Sequence, residues 1–220
     1  MSPRISFDHE LKLLKENVSD MVNRVEENYE HLFDALKSQE EDEILKIKNN
    51  DKLISKQQRE IESQCLFLIT RQQPVVGDLR VVTASLKVVT DIERIGDHVS
   101  DMAELILRLK MKDFSLFSVH LDGMIDATRE MFCEAVDAFV SRNMEKAQKV
   151  IKEDDVIDEL FNKVKVDLIE SLKREVKDAD ECIDVLMLAK YLEKIGDHAV
   201  NICEWEIFQE TGNISDMRLL

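Results

Sequence analysis

The chain has 220 residues and a formal net charge of −16; 44% of its residues are hydrophobic, 35% are charged and 5% are aromatic. This composition, with only five Gly and two Pro, favours long amphipathic helices over strands, and the acidic charge argues against a nucleic acid partner because it repels phosphate backbones. No apolar run approaches the ~18 residues of a membrane-spanning helix, so we expect no membrane insertion.

The apolar pattern of the first half predicts three long helices. Heptad spacing defines the first helix, for which Ser6 is the predicted N-cap. Spacings of three and four residues from Ile44 onward define the second, which ends near Gln73 because Pro74 cannot continue a helix without losing a hydrogen bond. The third helix is predicted over residues 75–112. The heptad positions of the first helix are Leu11, Leu14, Val18, Met21, Val25 and Leu32.

The helical pattern lapses at residues 113–119, where we place the boundary between two domains, 1–113 and 114–220. Three further helices are predicted after it, and Asp178 is the expected N-cap of the last. Their predicted ranges are 117–141, 144–176 and 179–210.

The two halves repeat one another. Residues 91–104 read DIERIGDHVSDMAE and residues 191–204 read YLEKIGDHAVNICE, with the stretch Ile-Gly-Asp-His identical in both. In the preceding helices, Asp51 and Asp154 occupy equivalent positions of the apolar seam. The repeat predicts an all-α fold of two pseudo-symmetric three-helix bundles, six long helices in all, that arose by internal duplication.

An acidic stripe lies on the repeated helix of each half. At 100° per residue, Glu93, Asp97 and Asp101 share one face, and residues one to three turns earlier on that face are apolar. Like charges at i and i+4 destabilise a helix by a few tenths of a kcal/mol per pair, and a bound cation would reverse that effect. The pattern indicates either a cation site or an interface salt-bridged to Arg or Lys of another chain.

The preceding helix of each half offers further carboxylates to such a site. Asp154 and Asp158 follow the same Asp-x-x-x-Asp spacing, so they can supply two oxygen ligands beside Glu193 and Asp197. In the first half, the equivalent residues are Asp51 and Ser55, which makes that site poorer in acids.

The glycine and the histidine of the repeated motif each have two readings. Gly96 and Gly196 lie in the middle of predicted helices, either for close approach of a neighbouring helix or to leave room for ligands. His98 and His198 are either hydrogen-bonded histidines on a helix face or metal ligands. Neither histidine completes a Glu-x-x-His motif, which argues against a carboxylate-bridged di-iron enzyme that uses oxygen.

Several short motifs follow one another in order along both halves. In the first half these are RQQP at 71–74, DLR at 78–80 and DIERIGD at 91–97. In the second half they are DDVID at 154–158 and LEKIGDHAVNI at 192–202. Together these motifs resemble those of the PhoU family of phosphate-uptake regulators, and the resemblance covers essentially the whole chain.

The resemblance implies a non-enzymatic, metal-binding accessory protein of the high-affinity phosphate transporter, with multinuclear iron or zinc clusters. Its implied partners are the transporter's ATPase subunit, a phosphate-sensing histidine kinase and a second copy of the chain. A metal-dependent enzyme and a metal-free helical scaffold are the alternatives. Carried over by position, the metal ligands are Asp51, Glu93, Asp97 and Asp101 in the first half, and Asp154, Asp158, Glu193, Asp197 and Asn201 in the second.

Two departures from the family pattern predict unequal sites. Ser55 replaces an acid in the first half, and Asn201 is neutral in the second.

We expect a cytoplasmic protein, because the four cysteines lack a Cys-x-x-Cys pair and fit reduced thiols, and because the N-terminus lacks the apolar stretch of a signal peptide.

Overall fold

A computed structural model describes residues 3–72, 74–109, 117–173 and 179–213, and these residues form α-helices and no strand. The all-α prediction is confirmed. The helices are α1 (Pro3–Ser38), α2 (Glu41–Asn49), α3 (Asp51–Gln72), α4 (Val76–Arg108), α5 (Leu121–Ser141), α6 (Met144–Lys173) and α7 (Ala179–Thr211).

The second predicted helix is interrupted at Asn50, which separates α2 from α3. The backbone of Asn50 stays right-handed, with φ −73° and ψ −16°, and its N–H donates to the carbonyl oxygen of Ile47 at 3.0 Å. Its side-chain Nδ2 donates to Oδ1 of Asn28 on α1 at 2.9 Å. The backbone bond from Asn50 thus spans three residues instead of the four of an α-helix, and counting α2 and α3 as one broken helix gives the six predicted helices.

Two predicted helix boundaries differ from those in the structure. Ser6 is not an N-cap, because α1 begins at Pro3 and Ser6 lies inside the helix. α4 ends at Arg108 rather than near Lys112, since Leu109 adopts an extended conformation with ψ 128°. The predicted end of the fifth helix at residue 176, the N-cap Asp178 and the domain boundary at 113/114 lie outside the described residues, so all three stay predictions.

The helices pack as two sets that meet along α4 and α7. Helices α1 to α4 pack on one another, α5 to α7 do the same, and α4 also packs against α7. The apolar stripe of α4, which includes Ile92, Ile95 and Val99, is buried, as is the matching stripe of α7. The helix that carries the repeated motif in each half is therefore central to the molecule. No helix in the described ranges is both long and apolar enough to cross a membrane.

Candidate metal centre and the contact between the halves

The first half brings three of its four predicted ligands together between α3 and α4. The carboxyl groups of Asp51 and Asp97 are in hydrogen-bonding contact, and Glu93 lies one turn before Asp97. Ser55, the departure from the family pattern, donates from Oγ to Oε1 of Glu93 at 3.0 Å. The side chains of Glu93 and Asp97 are only 14% and 27% exposed.

The closeness of these acids changes their ionisation. Burial raises the pKa of Asp97 to about 7, and the hydrogen bond to Asp51 and the charge of Glu93 act in the same direction. Arg94 opposes the shift, with Nη1 3.2 Å from Oδ2 of Asp97. The carboxyl group of Asp97 therefore holds a proton more readily than an exposed aspartate does, and a cation binding there would displace that proton.

In the second half, lysines hold the two acids of the motif. Lys194 Nζ lies 2.5 Å from Oδ2 of Asp197, and Lys190 Nζ lies 2.6 Å from Oε2 of Glu193. Asp154 reaches the same region of α7, because its Oδ1 is 3.5 Å from where a Cβ on Gly196 would stand. The sequence analysis considered only the repulsion between acids at i and i+4, and it overlooked the lysines three residues before each acid.

The atoms around each motif glycine test the two interpretations given above, close approach of a neighbouring helix and room for ligands. A Cβ at Gly96 would lie 2.9 Å from Cδ1 of Ile54 on α3, which confirms the close approach of two helices. At Gly196 the nearest atoms, on Asp154 and Ile157, are at ordinary contact distance, 3.5 Å. The approach is therefore tighter in the first half than in the second.

Asp101 and Asn201 face the opposite half of the molecule. Burial raises the pKa of Asp101, while a hydrogen bond from the Tyr191 hydroxyl on α7 opposes the shift. Asn201 on α7 donates from Nδ2 to Oδ1 of Asp91 on α4 at 3.0 Å. Both predicted ligands thus hold α4 and α7 together. Asp158 is exposed on α6.

The two histidines of the motif meet between α4 and α7. Nδ1 of His198 is 2.9 Å from Oδ1 of Asp91, so the hydrogen-bonded reading is confirmed for His198. The ring of His98 stacks on Tyr191, with centroids 5.4 Å apart, and its centroid is 5.6 Å from that of His198.

The nine ligands, which the sequence assigns to one site in each half, form several separate contacts in the structure. In the part of the chain that the structure describes, no three His, Cys, Asp or Glu side chains converge closely enough to hold a metal ion together. The donor types fit a cation, since paired carboxylates of α3 and α4 meet in the first half, but the ion pairs of Arg94, Lys190 and Lys194 must open for the acids to bind it.

Sequence reasoning missed Glu206, an acid that is completely buried on α7. Its Oε2 accepts a hydrogen bond from Gln209 Nε2 at 2.7 Å, while Oε1 has no partner within the described ranges. A signal was available: Glu206 stands seven residues after Ala199 and four after Ile202, on the apolar stripe.

The fold and these contacts define a duplicated helical-bundle protein with an acidic motif on the last helix of each half. The chain belongs to the PhoU family: the family model described as "PhoU domain" matches residues 18–106 and again 121–205.

Named relatives and solved structures agree with this assignment. The chain is 33% identical over 212 residues to the phosphate-specific transport system accessory protein PhoU homolog of Clostridium acetobutylicum, covering 96% of this chain and 97% of that protein. It is 33% identical over 213 residues to PhoU homolog 1 of Thermotoga maritima, covering 96% and 92%.

Among solved structures, PhoU of Streptococcus pneumoniae, a phosphate transport system regulatory protein, superimposes with a TM-score of 0.88 at 28% identity, covering 96% of this chain and 100% of that one. PhoU of Pseudomonas aeruginosa superimposes with a TM-score of 0.85 at 25% identity, covering 94% and 100%. The recognition of the family from its motifs is confirmed.

Proposed function

We propose that this chain is a cytoplasmic, non-enzymatic regulator of phosphate uptake and of phosphate-starvation signalling. The observation that carries the proposal is similarity along nearly the whole length to proteins named as accessory to phosphate-specific transport, with 97% of the Clostridium relative covered. The partners in this proposal are the transporter's ATPase subunit and a phosphate-sensing histidine kinase, with the chain acting as a homodimer.

Deleting the gene in its own organism tests the regulatory role. At high external phosphate, the deletion strain should take up labelled phosphate faster than the parent, or express phosphate-starvation genes that the parent represses. Restoring the gene on a plasmid should reverse both changes. Unchanged uptake together with unchanged expression would reject the proposal.

We also propose that the acidic motifs bind iron or zinc. Support comes from the first half, where Asp51 and Glu93 lie close enough to Asp97 for their interactions with it to raise its pKa. A bound cation would supply positive charge at that place, and it would draw on oxygen atoms of two helices, as hard and borderline cations require. In the second half, Asp154, Glu193 and Asp197 are the corresponding acids.

Metal analysis of protein purified without a histidine tag tests this second proposal. The variant Asp97→Asn/Asp197→Asn should contain less iron and zinc than the wild type, with helicity retained in circular dichroism. The matched control Glu159→Gln removes an exposed acid of α6 and should keep the wild-type metal content. Wild-type protein with less than about a tenth of a metal per chain, and no recovery after iron or zinc is added, would reject metal binding.

A further inference from the structure

A histidine pair lies beside the two carboxylate groups, where α4 packs against α7. His98 comes from one half and His198 from the other, with ring centroids 5.6 Å apart and ring planes inclined by 34°. Each follows the motif aspartate by one residue, so it is turned by about 100° from the acidic face. The contact between the halves therefore brings two imidazoles together.

His198 is held in the manner typical of metal-binding histidines. Its Nδ1 lies 2.9 Å from Oδ1 of Asp91, and the same oxygen accepts a hydrogen bond from Asn201 at 3.0 Å. With the Nδ1 proton directed at Asp91, Nε2 of His198 carries the free lone pair. A carboxylate behind a histidine fixes the tautomer and orients the ring toward a metal in many metalloproteins.

His98 has a nitrogen that the fold leaves unsatisfied. Its Nδ1 is buried and has no hydrogen-bond partner in the part of the chain that the structure describes. The ring itself is fixed, since it stacks on Tyr191 with centroids 5.4 Å apart. A buried polar atom without a partner destabilises the folded state, and a ligand bound to that atom would remove the cost.

The spacing of the rings fits one shared ion. Imidazole nitrogens bind divalent transition metals at about 2.0–2.1 Å, so two imidazoles on one tetrahedral ion have ring centroids roughly 5 to 6 Å apart. We infer that His98 and His198 together bind an imidazole-preferring divalent ion, Zn²⁺, Ni²⁺ or Cu²⁺, between the two halves. Asp91 positions His198, and solvent completes the coordination of the ion.

This inference stands apart from the proposed function and from the carboxylate sites. Its ligands are nitrogen atoms, so it favours Ni²⁺ and Cu²⁺ more than an oxygen-lined site does, whereas Zn²⁺ suits both kinds of site. Because one ligand comes from each half, binding stabilises the contact of α4 with α7 and should raise the melting temperature of the whole chain.

Titration of tag-free, chelator-stripped protein tests the site. Calorimetry should detect binding of Zn²⁺ to the wild-type protein. The affinity of that binding should fall about tenfold or more in His98→Gln and in His198→Gln, and about tenfold in Asp91→Asn. With one equivalent of Cu²⁺, electron paramagnetic resonance should show coupling to two imidazole nitrogens in the wild type and to one in each single histidine variant.

The control variants separate this site from other metal binding. His31→Gln, which removes an exposed histidine of α1, should bind as the wild type does, and Asp97→Asn/Asp197→Asn should keep the two-nitrogen signal. Circular dichroism checks that each variant is folded, and Asp91→Asn provides a readout that leaves both rings in place. The inference is overturned if wild-type protein binds no Zn²⁺, or if affinity and nitrogen coupling are unchanged in both histidine variants.

Discussion

Glu206 is a buried acid that contributes to the pH dependence of stability. It is completely buried on α7, and only one of its two carboxyl oxygens has a hydrogen-bond partner among the described residues. Burial raises the pKa of Glu206 to about 7; the charge of Glu210 adds to the shift and that of Arg142 opposes it. The folded state therefore favours the protonated form more than the unfolded state does.

The substitution Glu206→Gln should remove a loss of stability that occurs as the pH rises. The pKa of Glu206 is higher in the folded state than its unfolded value of about 4.3. Its contribution to stability is therefore fully present below about pH 4.3, and it is lost as the pH rises through about 7. The stability of the variant relative to the wild type should rise by about 2–3 kcal/mol between pH 5 and pH 8.

Urea unfolding of both proteins at the two pH values, with a chelator present, measures this change. The cost of burying the new amide is the same at pH 5 and at pH 8. It therefore cancels when the change in relative stability between the two pH values is taken. A relative stability that stays constant from pH 5 to pH 8 would contradict the assignment of a raised pKa to Glu206.

At the level of helices, the two motif glycines should respond in opposite ways to an added methyl group. Alanine is favoured over glycine inside a helix by about 1 kcal/mol, and Gly196 has room for it, so Gly196→Ala should stabilise the protein by up to that amount. At Gly96 the methyl group would stand 2.9 Å from Ile54 Cδ1, so Gly96→Ala should destabilise by about 1–3 kcal/mol. Urea unfolding at one pH compares the two variants directly.

A second substitution identifies the cause. Ile54→Val removes the Cδ1 atom that the new methyl group would meet, so it should restore part of the lost stability in the Gly96→Ala background. Equal effects of the two alanine substitutions would show that α3 and α4 do not approach more closely than α6 and α7.

Local spacing predicted the helices well, but it could not predict their partners. A period of 3.6 residues identifies the buried face, which is why the stripes of α4 and α7 are as expected. The break at Asn50 has no counterpart in the apolar spacing, and the Asn50 side chain bonds to Asn28 on α1, 22 residues away in sequence. Likewise, a helical wheel places Asp101 and Asn201 beside the other acids, yet it cannot show that α7 and α4 from opposite halves cover them.

Across the whole molecule, the two halves meet through contacts that are related by the repeat but differ in chemistry. Asp91 and Tyr191 are equivalent positions, and so are Asp101 and Asn201. Asp91 accepts from Asn201, and Tyr191 binds Asp101, so each contact contains a single carboxylate of this set. If the second half carried the residues of the first, an Asp at position 201 would place a second carboxylate against Asp91. The neutral Asn201 is therefore explained by the contact between the halves.

The substitution Asn201→Asp should test this explanation, because it places a second carboxylate against Asp91. The lost hydrogen bond and the new repulsion should lower the free energy of unfolding by about 1–3 kcal/mol at pH 8 in urea. Asp91→Asn should restore most of that loss in the Asn201→Asp background, since one carboxylate again faces one amide.

The control is Asp184→Asn, which breaks an ion pair between the same helices, in which Arg108 Nη2 lies 3.0 Å from Asp184 Oδ1. This substitution should cost less than about 1 kcal/mol. If Asn201→Asp is as stable as the wild type, or if Asp91→Asn fails to restore it, the neutrality of Asn201 has another cause.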